Sequence, residues 1–90
     1  MAVDDKKLER VLKALANRRR LAILRHLKRR KESSVGAIAE SIRLSFKSTS
    51  RHLTVLSAAD LVEREQRSLE VFYRISDDID IPISSLLTIL

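Results

Sequence analysis

The stretch SFKSTSRHLTVL, from Ser45 to Leu56, has two chemically different faces when it is placed on a helix. At about 100° per residue, one face is built for packing and takes Thr49, Leu53 and Leu56. The opposite face carries only hydroxyls and long cations, namely Lys47, Ser50, Arg51 and Thr54. Such side chains, with no acidic member, suit a groove lined with phosphates and hydrogen-bond acceptors. On this stretch alone, an ordinary amphipathic surface helix with a basic solvent face is an equal alternative.

The charge balance of the chain narrows the class of partner. The 90 residues carry a net charge of +6, which favours nucleic acid as the partner and an anionic membrane surface second. This length predicts a single domain over 1–90. The chain has no cysteine, which excludes disulfides, thiolate metal sites and thiol redox sensing. No apolar run reaches transmembrane length and the N-terminus is not a signal peptide, so we expect a cytoplasmic protein with no membrane partner.

Two helices are predicted ahead of the Ser45–Leu56 stretch, in the first third of the chain. The first, about 4–16, begins at Asp4 or Asp5 and carries an apolar stripe of Leu8, Val11, Leu12 and Leu15. Asn17 caps the second helix, which starts with Arg18, Arg19 and Arg20. Cations at a helix start oppose the helix dipole, and a nearby DNA phosphate would account for all three arginines, of which Arg18 and Arg19 are the DNA contacts expected.

A helix-turn-helix follows. Ser33 or Ser34 caps a short third helix, VGAIAESI, and Arg43 and Leu44 form a short turn. Ser45 caps the fourth helix, about 45–59, and Phe46 at its start is expected to pack on the core side. Two helices joined by a short turn, the second with an outward polar face, are typical of a helix-turn-helix.

The period of the pattern then changes to alternation. Leu61–Gln66 and Leu69–Ile75 predict a two-stranded hairpin, about 61–75, with Arg67 and Ser68 at its turn. A last helix is expected at about 79–90, and its apolar side chains include Ile83, Leu86, Leu87 and Leu90. Such a tail would be exposed in a monomer, so it favours self-association. The fold class predicted is mainly α with a β-hairpin wing, in the order α-α-α-α-β-β-α.

Three motifs in this order resemble the ArsR/SmtB family of winged helix-turn-helix transcription regulators. They are ALANRRRLAIL (14–24), AIAESIRLSFKSTSRHLTVLSAADLV (37–62) and VFYRI (71–75). The resemblance implies major-groove contacts from Lys47, Ser48, Ser50, Arg51 and His52. For His52, which lies toward the flank of the packed face, a structural role with a hydrogen bond to the backbone is an equal alternative. The resemblance also implies that Arg64, Gln66, Arg67 and Arg74 lie near phosphates or the minor groove. It further implies a homodimer whose interface is formed by the first and last helices.

The chain departs from the family at the positions that bind metals. The third helix has no cysteine, the last has no His or Glu, and the two histidines, His26 and His52, lie on separate helices. We therefore expect no metal site and no cofactor. Helix capping explains the acidic group Asp77, Asp78 and Asp80 more simply than a cation site does. Other departures are Arg43 and Asp60, which stand where the family usually has Gly, and Thr49, which replaces an aliphatic core residue.

The function expected is a homodimeric, sequence-specific regulator that binds double-stranded DNA at a palindromic operator and acts as a repressor. The alternatives are a winged-helix module that binds a protein or RNA, and a DNA-coating protein without sequence preference. An enzyme is not expected, because the sequence has no Gly-rich phosphate loop and no carboxylate pair in a plausible pocket.

Overall fold

The fold is seen in a computed structural model that describes residues 4–77, 85 and 87–90. The elements run in the order α1 (Asp5–Leu15), α2 (Arg18–Arg30), β1 (Glu32–Ser34), α3 (Val35–Ile42), α4 (Phe46–Ala58), β2 (Val62–Arg67) and β3 (Glu70–Ile75). The four helices followed by the β2–β3 hairpin confirm the predicted winged helix-turn-helix, although β1 was not in the predicted order. The predicted helix at about 79–90 lies mostly outside the described residues, although Ser85 and Leu87 are helical.

Each of the helices α1 to α4 begins at the polar residue that the sequence indicated. A side-chain oxygen at each start accepts a hydrogen bond from a backbone N–H of the first turn, and the capping residues are Asp4, Asn17, Ser34 and Ser45. Such a cap satisfies a donor that the helix itself leaves unpaired, and its loss typically costs about 1 kcal/mol. Local side-chain chemistry therefore sets where the helices start.

The core lies between the four helices and the inner side of the sheet. The central side chains are fully buried, with 0% exposure for Leu24 of α2, Ile38 of α3 and Leu53 of α4. Burying one such side chain contributes roughly 1.5–3 kcal/mol, so these contacts hold α4 against the rest of the domain.

The sheet has three strands in the order β1-β3-β2, all antiparallel. The sequence predicted only the β2–β3 hairpin, and it missed β1, in which Ser33 pairs with Tyr73 of β3. Glu32–Ser34 is short and polar and has no alternation that would indicate a strand. It is extended because β3 offers it an open edge. The hairpin turn also lies one residue later than predicted, at Ser68 and Leu69.

Among the described residues, four that are not glycine have a positive φ, of 56° to 66°: Lys31, Arg43, Asp60 and Ser68. Arg43 and Asp60 are the positions where the sequence suggested a tight turn. The chain's one glycine, Gly36, lies inside α3 and serves none of these turns. A left-handed conformation costs an L-residue roughly 1–2 kcal/mol, so the turns around the helix-turn-helix are held at some expense of stability.

Candidate nucleic-acid interface

The two faces predicted for α4 are both present. Thr49, Leu53 and Leu56 on the packing face are completely buried. Lys47, Arg51 and Thr54 on the other face are exposed, and Ser48 and Ser50 are half-buried. The Thr54 hydroxyl donates to the Ser50 carbonyl at 3.0 Å, which leaves its lone pairs free to accept. Packing of the buried face therefore fixes the orientation in which α4 exposes its polar face.

The cations of this face keep their charge unpaired. Neither Lys47 nor Arg51 makes an ion pair with any carboxylate in the described ranges 4–77, 85 and 87–90. Arg18 and Arg19 at the start of α2 are likewise exposed. An unpaired exposed guanidinium can form two parallel hydrogen bonds with a guanine edge or a phosphate.

His52 is half-buried beside Arg20 rather than fully directed to solvent. Its Nδ1 lies 3.3 Å from Arg20 Nη1. Burial, followed by the positive charges of Arg20, Arg19 and Arg51, holds the pKa of His52 below its ordinary value. The ring is therefore neutral at pH 7.

Two of the wing arginines that were expected near phosphates or the minor groove are paired with carboxylates of the same domain. Arg67 forms a bidentate ion pair with Glu32 at 2.8 Å for both contacts, a second pair with Glu65 at 3.1 Å, and stacks 4.6 Å from the centre of the Phe72 ring. These bonds raise the pKa of Arg67. Arg74 pairs with Glu63 at 2.7 Å. Both charges are thus largely neutralised within the domain.

Arg64 is the wing cation that remains exposed without an ion pair among the described residues. It lines a groove of about 540 Å³ between α4 and the wing, and Ser50 and Thr54 form the α4 side of this groove. Phe46 also lines the groove and is 62% exposed, so the prediction that it packs on the core side is wrong. Phe46 is the first residue of α4.

Only some of the side chains predicted for the dimer interface are exposed in the protomer. Leu8 and Leu12 line a shallow depression of about 430 Å³ on α1, and Leu12 is 47% exposed. Val11 is 1% exposed and Leu87 is 9% exposed, so both pack in the protomer core, although both were predicted for the dimer interface. Leu15 and Leu90 pack partly against this core. Ile83 and Leu86 lie outside the described residues, as do Asp78 and Asp80.

The second histidine serves an internal hydrogen-bond network. His26 is 6% exposed, and its two ring nitrogens lie 3.0 Å from the Ser33 hydroxyl and 3.1 Å from the Ser41 hydroxyl. Burial, followed by Arg29 and Arg30, lowers the pKa of His26. Within the described part of the chain, no three His, Asp or Glu side chains converge as a metal site would require.

Comparison with known proteins supports the same architecture. Residues 15–65 match the model of a helix-turn-helix domain family, which is more than half of the chain. The chain belongs to this family. The nodulation protein NolR of Rhizobium meliloti is 39% identical over 67 residues, which is 74% of this chain and 54% of NolR. The chain thus spans about half the length of that relative.

Solved structures extend the likeness to nearly the whole chain. HlyU from Vibrio cholerae superposes with a TM-score of 0.81 and 32% identity, covering 99% of this chain and 92% of HlyU. Mb0332 from Mycobacterium bovis, a homodimeric winged helix-turn-helix DNA-binding domain of a possible ArsR-family regulator, superposes with a TM-score of 0.80 and 32% identity, covering 99% and 85%. These relatives confirm the ArsR-type winged helix-turn-helix fold. Across the helices described for this chain, none is long and apolar enough to span a membrane.

Proposed function

We propose that this protein is a cytoplasmic, homodimeric repressor that binds double-stranded DNA at a palindromic operator. The observation that carries the proposal is the α4 face itself. Lys47, Ser50, Arg51 and Thr54 share one surface, the opposite surface is buried, and the cations have no internal partner among the described residues. Arg64 faces the same groove from the wing. A helix of this kind fits the major groove, while the wing reaches the adjacent backbone.

Self-association completes the proposed site. Leu12 leaves apolar surface exposed on α1, and the relative Mb0332 is homodimeric. A two-fold dimer presents two recognition helices about 34–36 Å apart, one turn of DNA, and so selects a palindrome. A dimer that occupies a promoter in this way excludes polymerase, which is the simplest route to repression.

Regulation in this proposal is independent of metals and thiols. The chain has no cysteine, and its two histidines serve separate internal contacts with Arg20 and with Ser33 and Ser41. Repression would then respond to protein concentration, temperature, a small molecule or a protein partner.

The dimer is tested by placing a charge on the exposed α1 surface. Leu12→Glu should shift the sedimenting species from dimer to monomer, because it buries a charge in an apolar interface. Leu69→Glu is the matched control, since Leu69 is 96% exposed at the hairpin turn. A Leu12→Glu protein that still sediments as a dimer places the interface elsewhere.

The DNA-binding function is tested with a palindromic fragment of the protein's own promoter and a scrambled duplex, each at two salt concentrations. A specific regulator should prefer the palindrome by roughly a thousandfold or more. Equal and steeply salt-dependent binding to both duplexes would instead identify a DNA coater. Binding to neither duplex would favour a protein- or RNA-interaction module.

A further inference from the structure

One guanidinium group connects three helices near the recognition surface. Arg20, in the first turn of α2, donates from Nε to the Ala14 carbonyl at 2.6 Å and from Nη2 to the Lys13 carbonyl at 3.1 Å. Both carbonyls lie in the last turn of α1, where a helix leaves its acceptors without internal partners. The third nitrogen, Nη1, lies 3.3 Å from Nδ1 of His52 on α4. Arg20 therefore ties the end of α1 to the recognition helix.

The chemistry of this contact fixes the protonation of the His52 ring. A guanidinium group is always charged in a protein and has five N–H donors and no acceptor. His52 Nδ1 must therefore accept, and its lone pair must be free of a proton. A neutral imidazole carries one N–H, which is then on Nε2. The Arg20 contact thus makes Nε2 the donor atom of the ring.

The charged surroundings act in the same direction. Burial comes first, and the neighbouring cations that lower the pKa of His52 are Arg20 and Arg19 from α2 and Arg51 from its own helix. No acidic side chain contributes to the shift, so nothing in this environment favours the imidazolium form. Near pH 7 the ring stays neutral and keeps its acceptor toward Arg20.

We propose that Arg20 is a positioning residue that holds His52 as the Nε2–H tautomer, so that α4 offers the DNA one fixed neutral donor beside Arg51. The inference rests on the proposed DNA-binding function. His52 is partly exposed and directly follows Arg51, which lies on the outward face. The natural acceptors at this place are phosphate oxygens and the acceptor atoms of base edges. Because Arg20 is also bound to α1, the orientation of this donor depends on how α1 sits against α4.

The tautomer is measured on the full chain without DNA, from long-range ¹H–¹⁵N correlations of the imidazole rings. The signals of His52 are identified by their loss in His52→Gln. Wild type should show a protonated Nε2, an unprotonated Nδ1 and a pKa below the ordinary histidine value. Arg20→Lys keeps a cation for the α1 carbonyls but lacks the guanidinium fork, so it should average the two nitrogens and raise the pKa.

Arg19→Met is the matched control for charge alone. Arg19 lowers the pKa of His52 but makes no hydrogen bond to its ring among the described contacts, so this variant should raise the pKa and leave the tautomer unchanged. A wild-type ring that is averaged or protonated on Nδ1 overturns the proposal without any variant. Unchanged His52 signals in folded Arg20→Lys overturn it as well.

The donor role is read from DNA affinity with two amide substitutions. A Gln amide reaches the position of Nε2, whereas an Asn amide reaches only that of Nδ1. His52→Gln should bind the palindrome within about threefold of wild type, and His52→Asn should lose roughly tenfold, the usual worth of one hydrogen bond. Equal affinities of the two variants overturn the donor role while wild-type binding stands. A wild type that binds no DNA overturns the proposed function itself, and the ring spectra still decide the tautomer.

Discussion

The recognition helix and the wing both carry arginines, but the two regions use them in opposite ways. On α4, Arg51 is exposed and unpaired among the described residues. In the wing, Arg67 is held by two carboxylates and Arg74 by a third, at distances of 2.7 to 3.1 Å. The same side chain is therefore a free charge on the helix and a cross-link in the sheet.

The difference follows from where the acidic residues lie. The outward face of α4 has no carboxylate, whereas the wing has Glu63 and Glu65 on alternate positions of β2 and Glu32 on β1. Strand alternation directs Glu63 and Glu65 to one face and Arg64 to the other. Of the three wing arginines, Arg64 is therefore the one whose charge is available to a ligand. The ion pairs of Arg67 and Arg74 stiffen the sheet that carries it.

The largest effect is expected for Arg51→Ala. Loss of a bidentate base contact should cost about 1–3 kcal/mol of binding and relax the preference at one operator position. Binding isotherms for a set of single-base operator variants measure both quantities. Arg25→Ala, which removes an exposed arginine from α2, is the control. If Arg51→Ala keeps the wild-type ranking of the variants, α4 does not read bases through this residue.

A smaller and different effect is expected for Arg64→Ala. As a phosphate contact, Arg64 should contribute equally on every sequence, so affinity should fall uniformly and the slope of log K against log salt should decrease by about 1. A salt titration on the palindrome and on the scrambled duplex measures this. A loss confined to the palindrome would instead make Arg64 a base-reading residue and remove the contrast with α4.

The sequence predicted those parts of the fold that depend on neighbouring residues. Each helix start was indicated by its own cap, and the buried face of α4 followed from helical spacing alone. Strand β1 was missed because its three residues become a strand only by pairing with β3, about forty residues later in the chain. The ion pair between Arg67 and Glu32 depends on that same strand, so the pairing of Arg67 was not predicted either.

The burial of individual side chains was not predicted where one sequence pattern serves both the protomer core and an exposed surface. The α1 stripe predicted a single apolar surface, yet Val11 is buried in the core while its neighbour Leu12 is 47% exposed. The spacing of apolar residues on α1 does not show which of them pack in the core of their own protomer and which are left for a partner. Phe46 was assigned to the core side from its position at the start of the helix, but the structure places it in the groove between α4 and the wing. In both cases the burial of a side chain depends on how neighbouring helices and strands pack against it, which periodicity along one helix does not show.

Thr49→Val should stabilise the domain and test how well α4 is anchored. The Thr49 hydroxyl is fully buried and has no hydrogen-bond partner in the described structure. Replacing it by a methyl group of similar shape removes an unsatisfied polar group, which should raise the free energy of unfolding by on the order of 1 kcal/mol. Urea denaturation measures the change, and Thr49→Ser is the control because it keeps the hydroxyl. A destabilised Thr49→Val would show that the hydroxyl does find a partner.

The smallest effect on DNA binding is expected for Arg67→Ala, which removes the wing cross-link. Bonding to Arg67 is the main cause that lowers the pKa of Glu32 and of Glu65. Carboxyls with a lowered pKa in the folded state add stability that is present at neutral pH and is lost as the pH falls through that lowered value. The Tm of wild type should therefore exceed that of Arg67→Ala slightly at pH 7, and the difference should vanish in acid.

Affinity of Arg67→Ala for the palindrome should change by less than about twofold, because exposed ion pairs contribute little. A large loss of affinity with an unchanged Tm would mean that Arg67 leaves its carboxylates for a phosphate, and the wing would then use its arginines as α4 does.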